Sequence, residues 1–253
     1  MDLVIDALTP AGMSGLGAGL LIVASFFTSL LTVTAGIGGG LAMIAIMAYV
    51  VPVSALIPVH GLVQLGSNAG RIVVLRRHVA WLYLAAFIAG AIPGAITGRM
   101  ALGLLPGDSM KLVLGLFILA LVWMPLPKLA GIPAAGMIPI GFVTTGLSML
   151  FGATGPLNAV VLSKAFADRM RLAGTFAAVM TVQHLLKVIV FGAAGFAFGP
   201  WLPLIAAMIA TGLAGTYVGS NLLQKMPEAR FRLIFNLLLS ALALDLVRQG
   251  LSG

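Results

Sequence analysis

Two stretches of this sequence gather side chains able to hold a charged ligand. Residues 53–75 carry His60, Gln64, Ser67, Asn68 and Arg71, at spacings of four, three, one and three that put all five on one helical face. Residues 172–197 carry Thr175, Gln183, His184 and Lys187, the last three again on one face. Ionisable groups inside a membrane span are costly and usually face the protein interior, which makes them functional candidates. Lys187 is the strongest, with fifteen residues of mostly apolar helix before it and ten after. Arg71 lies about a turn from Arg76 and is long enough to snorkel to an interface instead. His184 reads as a ligand donor, a proton carrier or an interhelical hydrogen bond. His60 suits a structural or gating role, because its counterpart in the second half of the chain is Phe176. Gln183, Asn68 and Asn158 can donate amide hydrogen bonds to an oxyanion or glue helices together.

The acidic residues sharpen the chemistry by where they are not. Asp2, Asp6, Asp108, Asp168, Glu228 and Asp245 all fall in loops or near helix ends, so a cation site built on a buried carboxylate has no candidate. Cations and neutral donors with no internal anion to pair with suit a small anion as the ligand. An enzyme is disfavoured: there is no carboxylate dyad, no cysteine, and no third partner for a serine–histidine pair. Three histidines away from any carboxylate cluster argue against a metal site. No cofactor is expected either. The stretch GIGGG at 36–40 is not a dinucleotide fingerprint, since no strand precedes it and no acidic residue follows at the right distance.

These side chains need a frame, and composition supplies it. Of 253 residues, 61% are hydrophobic and 8% charged, with a mean hydropathy of +1.16. A soluble domain would carry roughly 25% charged residues. Several apolar runs reach or approach the roughly 20 residues that cross a bilayer as helix. They are continuous, whereas a transmembrane barrel needs alternation in segments of about ten. The chain reads as an all-α, polytopic integral membrane protein. A cleavable signal is not expected, given Asp2 and Asp6 and a first apolar segment that runs past residue 30. The net charge of +8 lies between the apolar segments, where it acts as a topology signal and not as a nucleic-acid surface.

Helical segments are expected near 14–35, 41–51, 53–75, 80–99, 110–125, 135–151, 157–166, 172–197, 201–223 and 231–247. The segments 41–51 and 157–166 are too short to span alone. An offset of 116 residues lays Gly36–Leu41 on Gly152–Leu157, and Ser67, Asn68 and Arg71 on Gln183, His184 and Lys187. Offsets of 120 and 121 match Trp81 with Trp201 and Gly94 with Gly215. Two homologous halves follow, 1–127 and 128–253, in one membrane domain.

Each half opens with a helix break, at 36–40 and at 152–156. Glycine costs a helix interior about 1 kcal/mol relative to alanine, so consecutive glycines in an apolar run need a reason. Paired glycine- or proline-interrupted segments are the best sequence pointer to a transporter's binding site. A break leaves the next helix's first amides without partners, and such N-termini attract anions. The expected anion donors are therefore Gly38, Gly39 and Gly40 on one side and Thr154 and Gly155 on the other, with Pro156 in a first turn. The bland alternative is close helix packing, which is preferred for GLGAG at 15–19.

The residues TAGIGGG at 34–40, the degenerate copy LFGATGP at 150–156, the loop-flanked Arg76-Arg77 and the duplicated halves together resemble the TauE/SafE sulfite exporter family, also called TSUP. The resemblance covers nearly the whole chain. It implies a bacterial or archaeal inner-membrane transporter of small sulfur-containing or organic anions, such as sulfite or sulfonates. A channel with the same lining and a non-transporting scaffold subunit are the alternatives.

Four crossings per half would make the repeats parallel, and hairpins at the breaks would make them inverted. Counting Lys and Arg places eight of twelve inside for the parallel arrangement and nine for the inverted one. Hairpins explain the two short segments, so inversion is favoured. Proton coupling through His184 or His60, and assembly as a homodimer, stay open.

Overall fold

A computed structural model describes residues 8–35, 38–104, 109–124, 131–222 and 228–252. Asp2, Asp6, Gly36, Asp108, Lys128 and Lys225 lie outside these residues. The described residues form ten α-helices joined by short connections. They are α1 (Gly15–Ala35), α2 (Gly39–Val50), α3 (Val53–Leu75), α4 (Trp81–Leu102), α5 (Met110–Trp123), α6 (Met137–Phe151), α7 (Gly155–Ala165), α8 (Arg169–Ala193), α9 (Leu202–Leu222) and α10 (Glu228–Ser252). Single 3-10 turns occupy Arg76–His78, Ala134–Gly136 and Gly199–Trp201.

Among the described residues, five stretches are long and apolar enough to cross a membrane: Gly15–Thr32, Trp81–Leu102, Ala134–Phe151, Arg169–Ala193 and Gly199–Gly219. Polarity is distributed inside out. Leu16, Phe27, Val143, Tyr217 and Leu244 are exposed, while Ser25, Thr145, Ser148, Asn158, Gln183 and Lys187 are buried. Apolar side chains outside and polar ones inside are what a bilayer solvent selects.

Helix ends depart from the sequence expectation for local reasons. The segment expected at 172–197 begins at Arg169, because the Asp168 carboxylate accepts from the amides of Met170 and Arg171 and caps the helix. It stops at Ala193, just before Gly195 turns the chain. The last helix is longer than 231–247, running from Glu228 to Ser252.

Small residues set the pairing. On α4, a Cβ at Gly90, Gly94 or Gly98 would run into the backbone of Ile138, Phe142 or Gly146 on α6, the four-residue spacing of close membrane packing. These contacts ascend together, so α4 and α6 run parallel. On α9, Met208, Gly215 and Gly219 meet Ser25, Phe26 and Leu30 of α1, so this pair is parallel too. Two other pairs run antiparallel. Lys111 meets Gln249 and Trp123 meets Ser240 across α5 and α10. Gly61 meets Lys187, and Gly174 meets Leu75, across α3 and α8. In the 15–19 stretch Gly17 packs on Val50, whereas Gly19 faces open space.

Candidate functional site

The two broken segments meet in the middle of the bundle. Helix α2 starts at Gly39, behind Gly38 at φ +108°, a left-handed conformation that glycine tolerates. Gly39 itself is pressed on α1, since a Cβ there would overlap the carbonyl of Thr28 and the hydroxyl of Thr32. At the second break, α6 ends at Phe151, Gly152 turns the chain at φ +78°, and α7 starts at Gly155 with Pro156 in its first turn. Neither Gly38 nor Thr154 caps the helix it precedes with a side chain. The first amides of each helix also lack intrahelical acceptors.

Between these helix starts lies a cavity of about 40 Å³, above the roughly 10–15 Å³ that a cavity needs to admit one water. Gly38, Gly40 and Leu41 line it from the first break, and Ala153, Gly155 and Pro156 from the second. Helix α3 contributes His60, Gln64, Asn68 and Arg71; α8 contributes Phe176, Met180 and His184; Thr32 of α1 completes it. No carboxylate is among them.

The two histidines stand against each other, ring centroids 5.9 Å apart at 74°. His60 Nε2 is 3.0 Å from the Gly40 carbonyl oxygen. A carbonyl only accepts, so Nε2 donates and Nδ1 is left as the acceptor in a neutral ring. That Nδ1 is buried without a partner, and so is His184 Nδ1. Both histidines line the cavity together with Arg71, and each keeps one ring nitrogen without a hydrogen-bond partner.

Other expected site residues are engaged elsewhere. Lys187 is fully buried, and its Nζ donates to the Gly152 carbonyl at 2.6 Å. Its stem crosses Gly61, where a Cβ would stand 2.7 Å from Lys187 Cδ. This position closes the C-terminal end of α6, where the helix dipole favours a cation. Gln183 Nε2 donates to the Thr144 carbonyl at 2.8 Å and to the Thr154 hydroxyl at 3.0 Å, and Gln183 Oε1 accepts from Asn158 at 3.2 Å. Thr154 also donates to the Thr144 carbonyl at 3.1 Å. Thr144, Thr154, Asn158 and Gln183 thus form a network joining α6, α7 and α8.

Of the expected residues, Gly38, Gly40, His60, Asn68, Arg71, Gly155 and His184 therefore share the cavity. Gly39, Thr154, Asn158, Gln183 and Lys187 lie outside its lining. Asn68 lines it while donating to the Gln64 carbonyl at 2.8 Å. Ser67, on the same sequence face, turns toward Gly212 of α9. Thr32, Phe176 and Met180 are lining residues that sequence reasoning did not assign. Phe176 had a signal, as the counterpart of His60. Among the described residues no cluster of His, Cys, Asp or Glu could hold a metal ion.

Because α3 and α8 are antiparallel, Arg71 and Lys187 flank the centre on opposite sides. Arg71 lies toward the end that carries Arg76, Arg77, Lys164, Arg169 and Arg171. Lys187 lies toward the end that carries Arg99, Lys111 and Arg248.

A family model described as sulfite exporter TauE/SafE matches residues 20–246. No curated protein and no solved structure matches the chain.

Proposed function

The chain belongs to the sulfite exporter TauE/SafE family, and on that premise we propose that it carries sulfite or a small organosulfonate through the centre of the bundle. One observation carries the reading. Two helix N-termini face a single small cavity whose ionisable lining is Arg71, His60 and His184, with no carboxylate. Oriented amides and dipole ends favour an anion there. A dehydrated anion must regain several kcal/mol from its surroundings, and these are the groups able to supply it.

Residues 1–127 and 128–253 are read as inverted repeats. The corresponding helices α3 and α8, and likewise α5 and α10, run antiparallel, as a two-fold axis in the membrane plane requires. With that arrangement, the end carrying Arg76, Arg77, Lys164, Arg169 and Arg171 is cytoplasmic by the positive-inside rule, and the membrane is the inner membrane. Arg71 and Lys187 are matched by the repeat. Here Arg71 faces the cavity and Lys187 is tied to Gly152. Exchanging those roles would turn the site toward the opposite side, which is a concrete form of alternating access. His60 and His184 are the groups available to move a proton if transport is coupled.

The test is counterflow in liposomes. Sulfite trapped inside should accelerate uptake of labelled sulfite from outside through the purified protein. Uptake without that acceleration, at channel-like rates, would identify a pore instead.

A further inference from the structure

A second cavity lies beyond Lys187, on the side away from the central one. It has a volume of about 370 Å³, within the range of small-ligand pockets, roughly 300–1,000 Å³. Its walls are the starts of α3 and α5 and the ends of α4 and α8, with Ile57, Pro58, Phe191 and Phe196 as apolar surface and Arg99 as the one charged residue among the described lining residues. The Arg99 guanidinium lies 5.4 Å from the centroid of the Phe191 ring, and its Nε is buried without a hydrogen-bond partner. A buried, unpaired guanidinium nitrogen is costly to leave unmade. A planar guanidinium is also suited to the flat or tripodal oxygens of a carboxylate or sulfonate.

The central cavity and this pocket share two helices. Along α8, Met180 and His184 line the centre and Phe191 lines the pocket; along α3, Asn68 and Gln64 line the centre and Ile57 lines the pocket. Between His184 and Phe191 the helix advances about 10 Å. Lys187 and Gly61 occupy that layer. The two cavities differ in chemistry as well as size. The centre has room for a very small ion, while the outer pocket pairs one cation with extended apolar walls.

We propose that the Arg99 pocket is a second anion-binding site, a vestibule for a small organic sulfonate whose head meets Arg99 and whose carbon chain lies on Phe191, Phe196 and Ile57. Its part as the outer station of a translocation path rests on the transport reading above; its ability to bind does not. The layer between the vestibule and the centre contains Lys187 and Gly61.

The chain has no cysteine, and Ser54 is an exposed residue of the pocket wall. Ser54→Cys, reconstituted in vesicles of zwitterionic lipid, should react with a small maleimide, and ethanesulfonate should slow that reaction in a saturable way. Adding Arg99→Gln should raise the protecting concentration about ten-fold or more, the worth of one charge-assisted hydrogen bond. Arg99→Lys, which keeps the charge without the planar fork, should recover part of the protection, which excludes simple misfolding. Protection that is absent, or equal in Arg99→Gln, overturns the proposal. Shielding of Ser54→Cys by anionic lipid alone, with ethanesulfonate giving none in zwitterionic vesicles, also overturns it, since the occupant is then a headgroup. Sulfite counterflow is measured on the same vesicles. Flux without protection removes the vestibule alone, and protection without flux removes the transport reading alone.

Discussion

The ammonium of Lys187 stands 2.6 Å from the carbonyl oxygen of Gly152, so a fully buried cation closes the end of α6. The sequence marks Lys187 as an intramembrane charge facing the interior, and it does face the interior. Its partner, however, is a backbone carbonyl exposed by the left-handed turn at Gly152.

That contact separates structural from transport effects. Lys187→Met keeps the stem across Gly61 and removes a buried charge that no described carboxylate balances. Relief of the charge offsets the loss of a donor to Gly152, about 1–3 kcal/mol. The thermal midpoint in detergent should therefore stay level or rise. Lys187→Ala also removes packing and should lose about 2–4 kcal/mol. Sulfite movement should fall in both. A Lys187→Met protein moving sulfite at the wild-type rate would show that the ammonium only braces α6.

Close helix packing should answer to position. Gly94→Ala would drive a methyl group into the Phe142 carbonyl, and overpacking of this kind costs about 1–3 kcal/mol. Gly19→Ala meets nothing within 4 Å and gains helix propensity of up to about 1 kcal/mol. Thermal midpoints should move in opposite directions. A fall in both would mean that Gly19 packs against a neighbour such as a second copy of the chain.

The start of α8 should respond to acid. The amides of Arg171 and Met170 hold the Asp168 carboxyl below its ordinary value of 3.8. A depressed folded value means that the cap contributes fully above the ordinary value and is lost as pH falls through the lower, folded one. Protection of the Met170 and Arg171 amides, taken relative to their intrinsic exchange at each pH, should fall across that window. Asp168→Asn, which keeps an acceptor without a titratable proton, should abolish the change. An identical acid response in the variant would assign it to another group.

The proposed inverted arrangement puts His78 and Ser252 at opposite membrane faces. In intact cells His78→Cys should resist an impermeant thiol reagent and Ser252→Cys should react. External labelling of His78→Cys would contradict the proposed orientation.

Much of the fold was legible because its signals are local. The breaks at 36–40 and 152–156 are written in Gly and Pro, and the polar face of α3 follows from spacings of three and four. What sequence could not carry depends on rotation and direction. Ser67 and Asn68 are adjacent in the chain, yet one turns toward Gly212 and the other into the cavity. Gln183 had the types and spacing of a ligand donor, but three neighbours consume its amide. His60 and His184 come from different halves, and their contact appears only once α3 and α8 are set antiparallel. Charge counting could not choose between parallel and inverted halves, whereas contacts such as Gly61 with Lys187 give the direction of those helices.

The most direct measurement of the central claim is sulfite uptake into liposomes by the wild type and by Arg71→Gln, with both shown to be folded. Arg71 lines the cavity where the two helix starts converge, so the variant should need about ten-fold or more sulfite for half-maximal uptake. Wild-type protein that moves no sulfite, or an Arg71→Gln protein with unchanged half-saturation, would contradict an anion site at that cavity.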